Sequence, residues 1–380
     1  MINIKYCKIC LYPETKPDLK FNDAGVCSAC IAYKQRVKID WKKREKDFIK
    51  LARLYKSKSN YDCVIPVSGG KDSTYQVLKA NEYGLKPLCV NSTTCDLTPL
   101  GRRNLDNIKK LGFDLIEYSP NLKVRKKLNA IGLKVVGDIS WPEHIGMFTI
   151  PVTIAKKFNI KLIIWGENSQ NEYGGPWEKI NSKILDRRWL EEFGGLNGMR
   201  ITDLITNYNF NKKDILPYFY LDKKLTKNIH GIFLGQFFKW EGELNAKMAK
   251  QNGFEYHHKL VEGSVVSYEN LDNYQTGIHD HFKFLKYGFG RTTDLVSMQI
   301  RRGKISRNEG IKLVKKFDGF LPKTYLGKST KKILSDINID QKEFAKICDK
   351  FTNKYLFKKN NKNELIKNLK GHLIKDFEFD

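Results

Sequence analysis

The feature that most constrains the fold is a stretch of small and polar residues between an apolar segment and an amphipathic one. Residues 68–73 read Ser-Gly-Gly-Lys-Asp-Ser. They follow the apolar run Cys63–Val67, which suits a buried parallel strand, and they open a predicted helix from Asp72 to Tyr83 that Gly84 ends. Glycines at such a junction let backbone N–H groups approach phosphate oxygens, and the helix N-terminus adds partial positive charge. The pattern therefore predicts a phosphate-binding loop.

The side chains of this loop indicate how it treats phosphate. Lys71 supplies a point charge, and Ser68 and Ser73 supply hydroxyl donors. The spacing of a P-loop (Gly, four residues, Gly-Lys-Ser/Thr) is absent, so transfer of a terminal phosphate is not predicted. The loop instead resembles that of the PP-loop ATP pyrophosphatases, where it holds the pyrophosphate that leaves ATP. The residues predicted to bind the nucleotide are Ser68, Gly69, Gly70, Lys71, Asp72, Ser73, Asn91 and Gly166.

Strand and helix patterns alternate along the chain after the loop. Strands are predicted at 87–91, 114–118, 161–165 and 231–234, and helices at 100–111, 145–158 and 241–251. Such alternation predicts an α/β fold with a doubly wound parallel sheet. The resemblance of the loop implies that this sheet is of the PP-loop ATP pyrophosphatase, adenine-nucleotide α-hydrolase-like type. Ligands bind such sheets at the carboxyl ends of strands, where Ser68, Asn91 and Gly166 all lie. We expect these three residues to share one crevice.

The rest of the chain divides around this sheet. We predict a metal-binding segment at 1–35, a nucleotide-binding domain at 36–260 and a C-terminal helical region at 261–380. Residues 168–230 are rich in Gly, Asn and Trp and are expected to form an irregular insertion over the site.

The N-terminal segment carries a strong metal-binding pattern. Cys7 and Cys10 form one Cys-x2-Cys pair, and Cys27 and Cys30 form a second. Four cysteines at this spacing predict a tetrahedral structural Zn²⁺, because a catalytic zinc needs an open coordination position. A zinc ribbon that binds nucleic acid is the alternative.

The overall charge is strongly basic. Lys+Arg (68) exceeds Asp+Glu (42), which gives a net charge of +26. The basic residues are dispersed, so we interpret them as solvated surface that favours anionic small molecules, and a nucleic-acid partner as less favoured. No apolar run is long enough to span a bilayer and no secretory signal is evident, so a cytoplasmic protein without membrane insertion is expected.

Two further motifs narrow the substrate. Residues 141–144 read Trp-Pro-Glu-His, and residues 165–175 read Trp-Gly-Glu-Asn-Ser-Gln-Asn-Glu-Tyr-Gly-Gly. Together with the cysteine pairs, the loop and the segments 235–254 and 279–310, they resemble the bacterial N-acetyl sugar amidotransferases over nearly the whole chain to about residue 320. That family converts an acetamido group on a surface-polysaccharide or flagellar sugar into an acetamidino group.

The resemblance implies a reaction in two steps. ATP adenylates the acetamido oxygen with loss of pyrophosphate, and ammonia then displaces AMP to give the amidine. Lys71 would hold pyrophosphate, Asp72 or Glu167 would help to hold Mg²⁺, and Glu143 or His144 would orient the acetamido group or take a proton from ammonia. The expected substrate is a UDP-linked diacetamido uronic acid for lipopolysaccharide O-antigen. A nonulosonic acid such as pseudaminic or legionaminic acid is the alternative.

The source of ammonia is expected to be a second protein. One glutaminase type needs an N-terminal cysteine, but residue 2 is Ile2, and none of the eight cysteines has the glycine-flanked elbow of the triad type. The family resemblance implies separate glutaminase and ammonia-channel subunits, similar to the histidine-biosynthesis amidotransferase pair.

Two rival functions stay open at this point. A PP-loop tRNA thiolase would share the loop, the zinc segment and the basic surface, with Cys95 as its candidate catalytic cysteine. A nucleic-acid-binding module would explain the charge and the zinc but not the loop. The pair His279 and His281 could bind a metal, although a surface or substrate contact is the favoured interpretation.

Overall fold

A computed structural model describes residues 4–167, 196–368 and 371–376 of the 380-residue chain. Its centre is a sheet of five parallel strands: β1 (Cys63–Pro66), β2 (Pro87–Ser92), β3 (Asp114–Tyr118), β4 (Leu162–Trp165) and β5 (His230–Phe233). The strand order is β3-β2-β1-β4-β5. The chain runs from the central strand β1 through β2 to the edge strand β3. It then crosses back over β1 to β4 and ends at the other edge with β5, which is the doubly wound arrangement. The predicted α/β class is confirmed.

Helices flank this sheet and follow it in the C-terminal part of the chain. They are α1 (Ser28–Arg36), α2 (Trp41–Tyr55), α3 (Lys71–Glu82), α4 (Pro99–Lys110), α5 (Leu122–Val136), α6 (Trp141–Lys157), α7 (Ile201–Tyr208), α8 (Lys223–Thr226), α9 (Gly242–Gln251), α10 (Thr276–Tyr287), α11 (Arg291–Arg301), α12 (Arg307–Phe317), α13 (Thr330–Ser335) and α14 (Gln341–Phe351). A two-residue hairpin joins β6 (Thr324–Tyr325) to β7 (Lys328–Ser329). Among the described helices, none combines the length and apolarity that a bilayer span requires.

Both faces of the sheet are covered, which explains why its strands are apolar without alternation. Ile65 of β1 is fully buried against α2, α3 and α4 on one face. The neighbouring Val64 is equally buried and packs with Ile150 and Ile154 of α6 on the other face. Successive strand residues point to opposite faces, so in a central strand such as β1 the residues toward both faces must be apolar, whereas the edge strand β3 carries exposed Asp114 and Glu117.

The structure corrects two expectations about the helices. Helix α6 begins at Trp141 and not near Ile145, because Pro142 takes the first turn, where a missing N–H costs nothing. The Trp-Pro-Glu-His motif therefore forms the first turn of this helix. Part of the predicted irregular insertion is also regular, since α7 lies within it; residues 168–195, which include most of the 165–175 motif, lie outside the described residues.

The C-terminal region packs directly against the segment that leads from β2 into α4. Thr98 caps α4 through Gly101 N–H, its backbone N–H donates to Asp272 O (3.1 Å), and its hydroxyl donates to Leu271 O. A Cβ on Gly101 would lie only 2.5 Å from the Asp272 Cα, so the two backbones touch. These contacts bring the C-terminal region to the carboxyl edge of the sheet, beside the loop at 68–73.

The loop itself is held by one close backbone contact. Gly69 has a φ of +79°, and a Cβ at this position would lie 2.6 Å from the Leu105 backbone nitrogen in α4. A side chain here would meet both an unfavourable backbone conformation and a clash with main-chain atoms that cannot rotate away.

We expect Gly69→Ala to destabilise the fold by roughly 1–3 kcal/mol and to distort the loop. Gly84→Ala is the matched control, because Gly84 has a similar φ of +75° but nothing within 4 Å of its added Cβ. Chemical denaturation of both variants separates the cost of the backbone conformation, which both share, from the cost of the clash with α4. The additional loss of unfolding free energy in Gly69→Ala measures the contact with α4. Equal losses would show that α4 does not hold the loop.

Candidate functional site

A cleft of about 600 Å³ opens at the carboxyl edge of the sheet. The loop at 68–73 lines one side, and Glu167 lies where β4 ends. The opposite wall comes from residues 266–304, with Tyr268, Glu269 and His279 among its side chains. The position agrees with the rule that ligands of open parallel sheets bind beyond the carboxyl ends of the strands.

The loop presents its backbone toward this cleft. Helix α3 begins at Lys71, with Gly70 as its N-cap, so its first N–H groups lack intrahelical partners. Ser68 Oγ accepts from Gly70 N–H (3.2 Å), and Ser73 Oγ donates to Gly70 O (3.0 Å). The two hydroxyls thus brace the turn from either side, and the predicted strand–loop–helix geometry for an anion is present.

Lys71 is the most constrained charge in the cleft. It is buried, and its ammonium pairs with Asp72 and, at 3.1 Å, with Glu269 from the opposite wall. Burial alone would lower the pKa of Lys71, but Asp72, Glu269 and Glu167 outweigh that effect and raise the pKa above its ordinary value. Lys71 is therefore a fixed cation at the start of α3.

The sequence did not identify two of the partners of this charge cluster. Asn245 of α9 donates its amide to Asp72 Oδ1 (2.9 Å), which leaves the other Asp72 oxygen for Lys71. Glu269 lies almost 200 residues after Lys71 and belongs to no motif. Asn245 falls in the 235–254 segment, which carried the family resemblance but gave no role to individual residues.

Two predicted nucleotide ligands lie at the expected edge but have structural partners. Asn91 is buried and donates its amide to Val67 O (2.6 Å), which ties the end of β2 to the start of the loop. Gly166 packs against the side chains of Gln76 and Trp240, where a Cβ would not fit. Neither residue lines the cleft, and a direct contact of either with a nucleotide stays a prediction.

Glu143 accepts hydrogen bonds from three residues in a largely buried network. Its Oε1 accepts from Arg125 (3.0 Å) and from Cys95 N–H (3.2 Å), and its Oε2 accepts from Asn129 (2.7 Å). Arg125 in turn donates to the Tyr218 hydroxyl (2.7 Å). Glu143 does not line the cleft, so the structure gives it a role in fastening α6 to α5.

His144, in contrast, lines the cleft and joins a cluster that the sequence did not reveal. Asp138, in the turn between α5 and α6, accepts from His144 Nδ1 at 3.2 Å and from His279 Nδ1 at 2.7 Å. The two rings meet edge to face, with centroids 5.0 Å apart. Asp138 was missed because a lone aspartate before a helix carries no signal, and His279 lies 141 residues further on.

The electrostatics of this cluster favour an ionised carboxylate. Burial alone would raise the pKa of Asp138, but His279 and His144 hold it well below its ordinary value. Burial alone would lower the pKa of His144, and Asp138 outweighs that effect and raises it. His281 lies apart: its Nδ1 faces Gly319 O (3.3 Å), it does not line the cleft, and burial lowers its pKa to about 4.

The far end of the cleft is basic. Lys16, from the cysteine segment, lies there with Lys283 and Arg291. Lys283 pairs with Asp294, whereas Lys16 has no carboxylate within salt-bridge distance among the described residues and faces the Tyr12 ring at 5.4 Å. Loss of solvent lowers the pKa of Lys16 to about 8. A cation in this position would gain from an anionic ligand.

The four N-terminal cysteines form a compact cluster that could hold one metal ion. All are buried, with Cys7 and Cys30 sulfurs 3.8 Å apart and Cys10 and Cys27 sulfurs 3.7 Å apart. These distances match the edge of a sulfur tetrahedron about 2.3 Å from a central ion. Backbone N–H groups of Ile9 and Cys27 approach Cys7 Sγ at 3.4 and 3.3 Å, as expected for a thiolate.

Comparisons with solved structures give only distant likenesses. A predicted subunit of tRNA methyltransferase from Methanocaldococcus jannaschii is 14% identical, with 63% of this chain and 91% of that chain covered and a TM-score of 0.27. NMN synthetase from Francisella tularensis is 11% identical, with 57% of this chain and 96% of that chain covered and a TM-score of 0.27. Likenesses this remote carry no argument about activity. A search of curated proteins found no match.

A family model gives the informative result. The model described as LPS biosynthesis protein WbpG-like, C-terminal domain, matches residues 262–370. This segment supplies Glu269 and His279, and with them the wall of the cleft that faces the loop. The match agrees with the family predicted from the motifs: residues 262–370 are similar to the C-terminal domain of the WbpG-like LPS biosynthesis proteins.

Proposed function

We propose that the protein is an ATP-dependent amidotransferase that converts an acetamido group of an N-acetylated sugar into an acetamidino group, with release of AMP and pyrophosphate. The observation that carries the proposal is the meeting of Lys71 and Glu269 at 3.1 Å. It joins a phosphate-binding loop to the domain shared with LPS biosynthesis proteins in one cleft. A sugar bound by that domain would lie next to ATP bound by the loop.

The first step follows from the position of the loop. The acetamido oxygen attacks the α-phosphorus, the bond to the β-phosphate breaks, and pyrophosphate leaves. Backbone N–H groups at the start of α3, together with Lys71, would stabilise the charge that accumulates on the departing pyrophosphate. The carboxylates of Asp72, Glu167 and Glu269 are hard oxygen ligands of the type Mg²⁺ prefers, and they would hold it when bound.

The second step makes the amidine. Adenylation turns a poor leaving group into AMP, so ammonia can add to the imidate carbon and expel it. His144 and His279, which share the buried Asp138, line the same cleft as the loop. Groups that move protons are therefore available where this step requires them.

The basic end of the cleft supports an anionic sugar derivative. Lys16 and Lys283 lie in the wall formed by the cysteine segment and the C-terminal domain. A UDP-linked diacetamido uronic acid offers both a diphosphate and a carboxylate to such a wall, and LPS O-antigen is the destination that agrees with the family. A nonulosonic acid for flagellin glycosylation is the alternative substrate, since it too carries a carboxylate.

A PP-loop tRNA thiolase is the weaker candidate. It needs a reactive cysteine thiolate near the adenylate, and Cys95 was the candidate. Burial, followed by the nearby Glu143 charge, raises the pKa of Cys95 to about 12. The thiol form therefore dominates at neutral pH, which does not suit a nucleophile.

The metal proposed for the cysteine cluster is Zn²⁺ in a structural role. Four thiolates complete a tetrahedron and leave no position for substrate. Arg301 approaches Cys10 Sγ at 3.8 Å, so a cation offsets the excess negative charge of a four-thiolate zinc site. The cluster also packs against Tyr12 and Phe289, which links the segment to the C-terminal domain.

Replacement of Lys71 tests the loop. We expect Lys71→Met to reduce sugar-dependent exchange between ATP and pyrophosphate by about 10²-fold or more, because a fixed transition-state charge is lost. Lys79→Met, in the same helix but paired with Glu82 outside the cleft, should keep its exchange rate. Full exchange in Lys71→Met would refute the role of the loop.

The ammonia donor gives a second test. The purified chain, supplied with ATP and a UDP-linked diacetamido uronic acid, should form amidine with ammonium but not with glutamine. Mass spectrometry distinguishes the product, since replacement of oxygen by N–H lowers the mass by about one unit. Efficient use of glutamine by the chain alone would contradict the proposed separate glutaminase and channel subunits.

Zinc removal gives a third test. Elemental analysis should find about one zinc per chain, and Cys27→Ser should lose it and melt at a lower temperature, because metal binding supplies folding energy to a segment too short for a core. Cys348→Ser is the control, since Cys348 lies outside the cluster. Retention of zinc by Cys27→Ser would exclude the four-cysteine site.

A further inference from the structure

Two histidines of the cleft, His144 and His279, share one buried aspartate, Asp138. Each uses Nδ1 to contact a different oxygen of Asp138: His144 meets Oδ2 at 3.2 Å and His279 meets Oδ1 at 2.7 Å. A hydrogen on Nδ1 leaves Nε2 of a neutral imidazole as the unprotonated nitrogen. The aspartate thus selects the tautomer of both rings.

Asp138 is itself rigidly placed. It is buried, its Oδ1 also accepts from Ser140 N–H (2.9 Å), and its backbone N–H donates to Gly132 O (3.1 Å). A Cβ on Gly132 would lie 2.6 Å from Asp138 O, so the turn that carries the aspartate packs directly on α5. A carboxylate with so little freedom can orient two rings.

Of the two candidate bases in the Trp-Pro-Glu-His motif, only His144 lines the cleft. Glu143, the other candidate, has both oxygens occupied by Arg125, Asn129 and the Cys95 backbone, and it lies outside the cleft lining. No hydrogen bond is made by Nε2 of His144 among the described residues, and the side chain is about one-third exposed. His144 can therefore reach a ligand in the cleft, whereas Glu143 is held by its three partners.

We propose that His144, oriented by Asp138 and His279, is the general base of the amination step. This proposal rests on the proposed function. Ammonia adds to the carbon of the O-adenyl imidate: its lone pair forms the C–N bond, the C=N π pair moves to the imidate nitrogen, and the new nitrogen carries a positive charge. His144 Nε2 takes one proton from that nitrogen, and its lone pair then expels AMP with the electron pair of the C–O bond.

Asp138 and His279 are positioning residues in this scheme. Asp138 stabilises the imidazolium that His144 becomes, because a carboxylate at hydrogen-bond distance favours the charged ring. His279 occupies the second oxygen and packs its ring against His144 with an interplanar angle of 75°. The charged and titratable groups that face His144 are Asp138, Glu143 of its own helix, and His279 and Asp280 of α10.

The two half-reactions separate this role from a structural one. With a UDP-linked diacetamido uronic acid as probe, His144→Gln should keep ATP–pyrophosphate exchange within about twofold of wild type and lose about 10²–10⁴-fold in amidine formation from ammonium. Imidazole added to His144→Gly should restore part of the amination. The control is His258→Gln, an exposed histidine outside the cleft, which should behave as wild type in both assays.

A pH profile tests the positioning residues. At constant free ammonia, amination should rise with pH as His144 loses its proton, and Asp138→Asn should move this limb to lower pH, since removal of the negative charge lowers the pKa of His144. His279→Gln should lower the amination rate less than His144→Gln. An unshifted limb in Asp138→Asn would overturn the assigned role of the aspartate.

Four results would overturn the proposal. Equal loss of both half-reactions in His144→Gln would make the cluster part of ATP binding or of the fold. A second divalent ion in the wild type that His279→Gln loses would make it a metal site. Wild-type amination by His144→Gln would exclude His144 as the general base while leaving the proposed function intact. If the wild-type chain formed no amidine, the proposed function would fall, and the role of the cluster with it.

Discussion

The pairing of Lys71 with carboxylates from both walls of the cleft is the interaction on which the rest of the site depends. A buried ammonium is costly unless it is paired, and Lys71 finds Asp72 beside it and Glu269 across the cleft. Asn245 fixes the second oxygen of Asp72, so α9 also joins the group. ATP would enter an electrostatic environment that is already arranged, which reduces the reorganisation needed during reaction.

The sequence was sufficient to predict the strands of the sheet, because the residue patterns that mark a strand are local. The strand β3 was predicted with the bounds that the structure has, and β1, β2, β4 and β5 agree to within one residue at each end. Apolar runs bounded by glycine identify parallel strands when both faces are covered. Helix α5 had no such signal, since its basic residues obscure the apolar stripe of Leu128 and Leu133.

The sequence predicted site residues only where they form a contiguous motif. The loop at 68–73 is contiguous, so its residues appeared together. Glu269, Asp138 and His279 are brought to the loop by tertiary packing, chiefly by the contact of Thr98 with Leu271 and Asp272. Glu143 shows the converse: a carboxylate in a promising motif proved to be occupied by Arg125 and Asn129, which no local pattern could indicate.

Helix α11 connects the cysteine cluster to the cleft. Its last residue, Arg301, approaches Cys10 Sγ, and Ser297 accepts from the Leu11 N–H at 3.2 Å, while Arg291 and Asp294 of the same helix line the cleft. Lys16 follows the first cysteine pair by six residues and lies in the cleft wall as well. Oxidation of the four cysteines would therefore disturb more than the N-terminal segment, because the helix that contacts Cys10 also supplies side chains to the cleft.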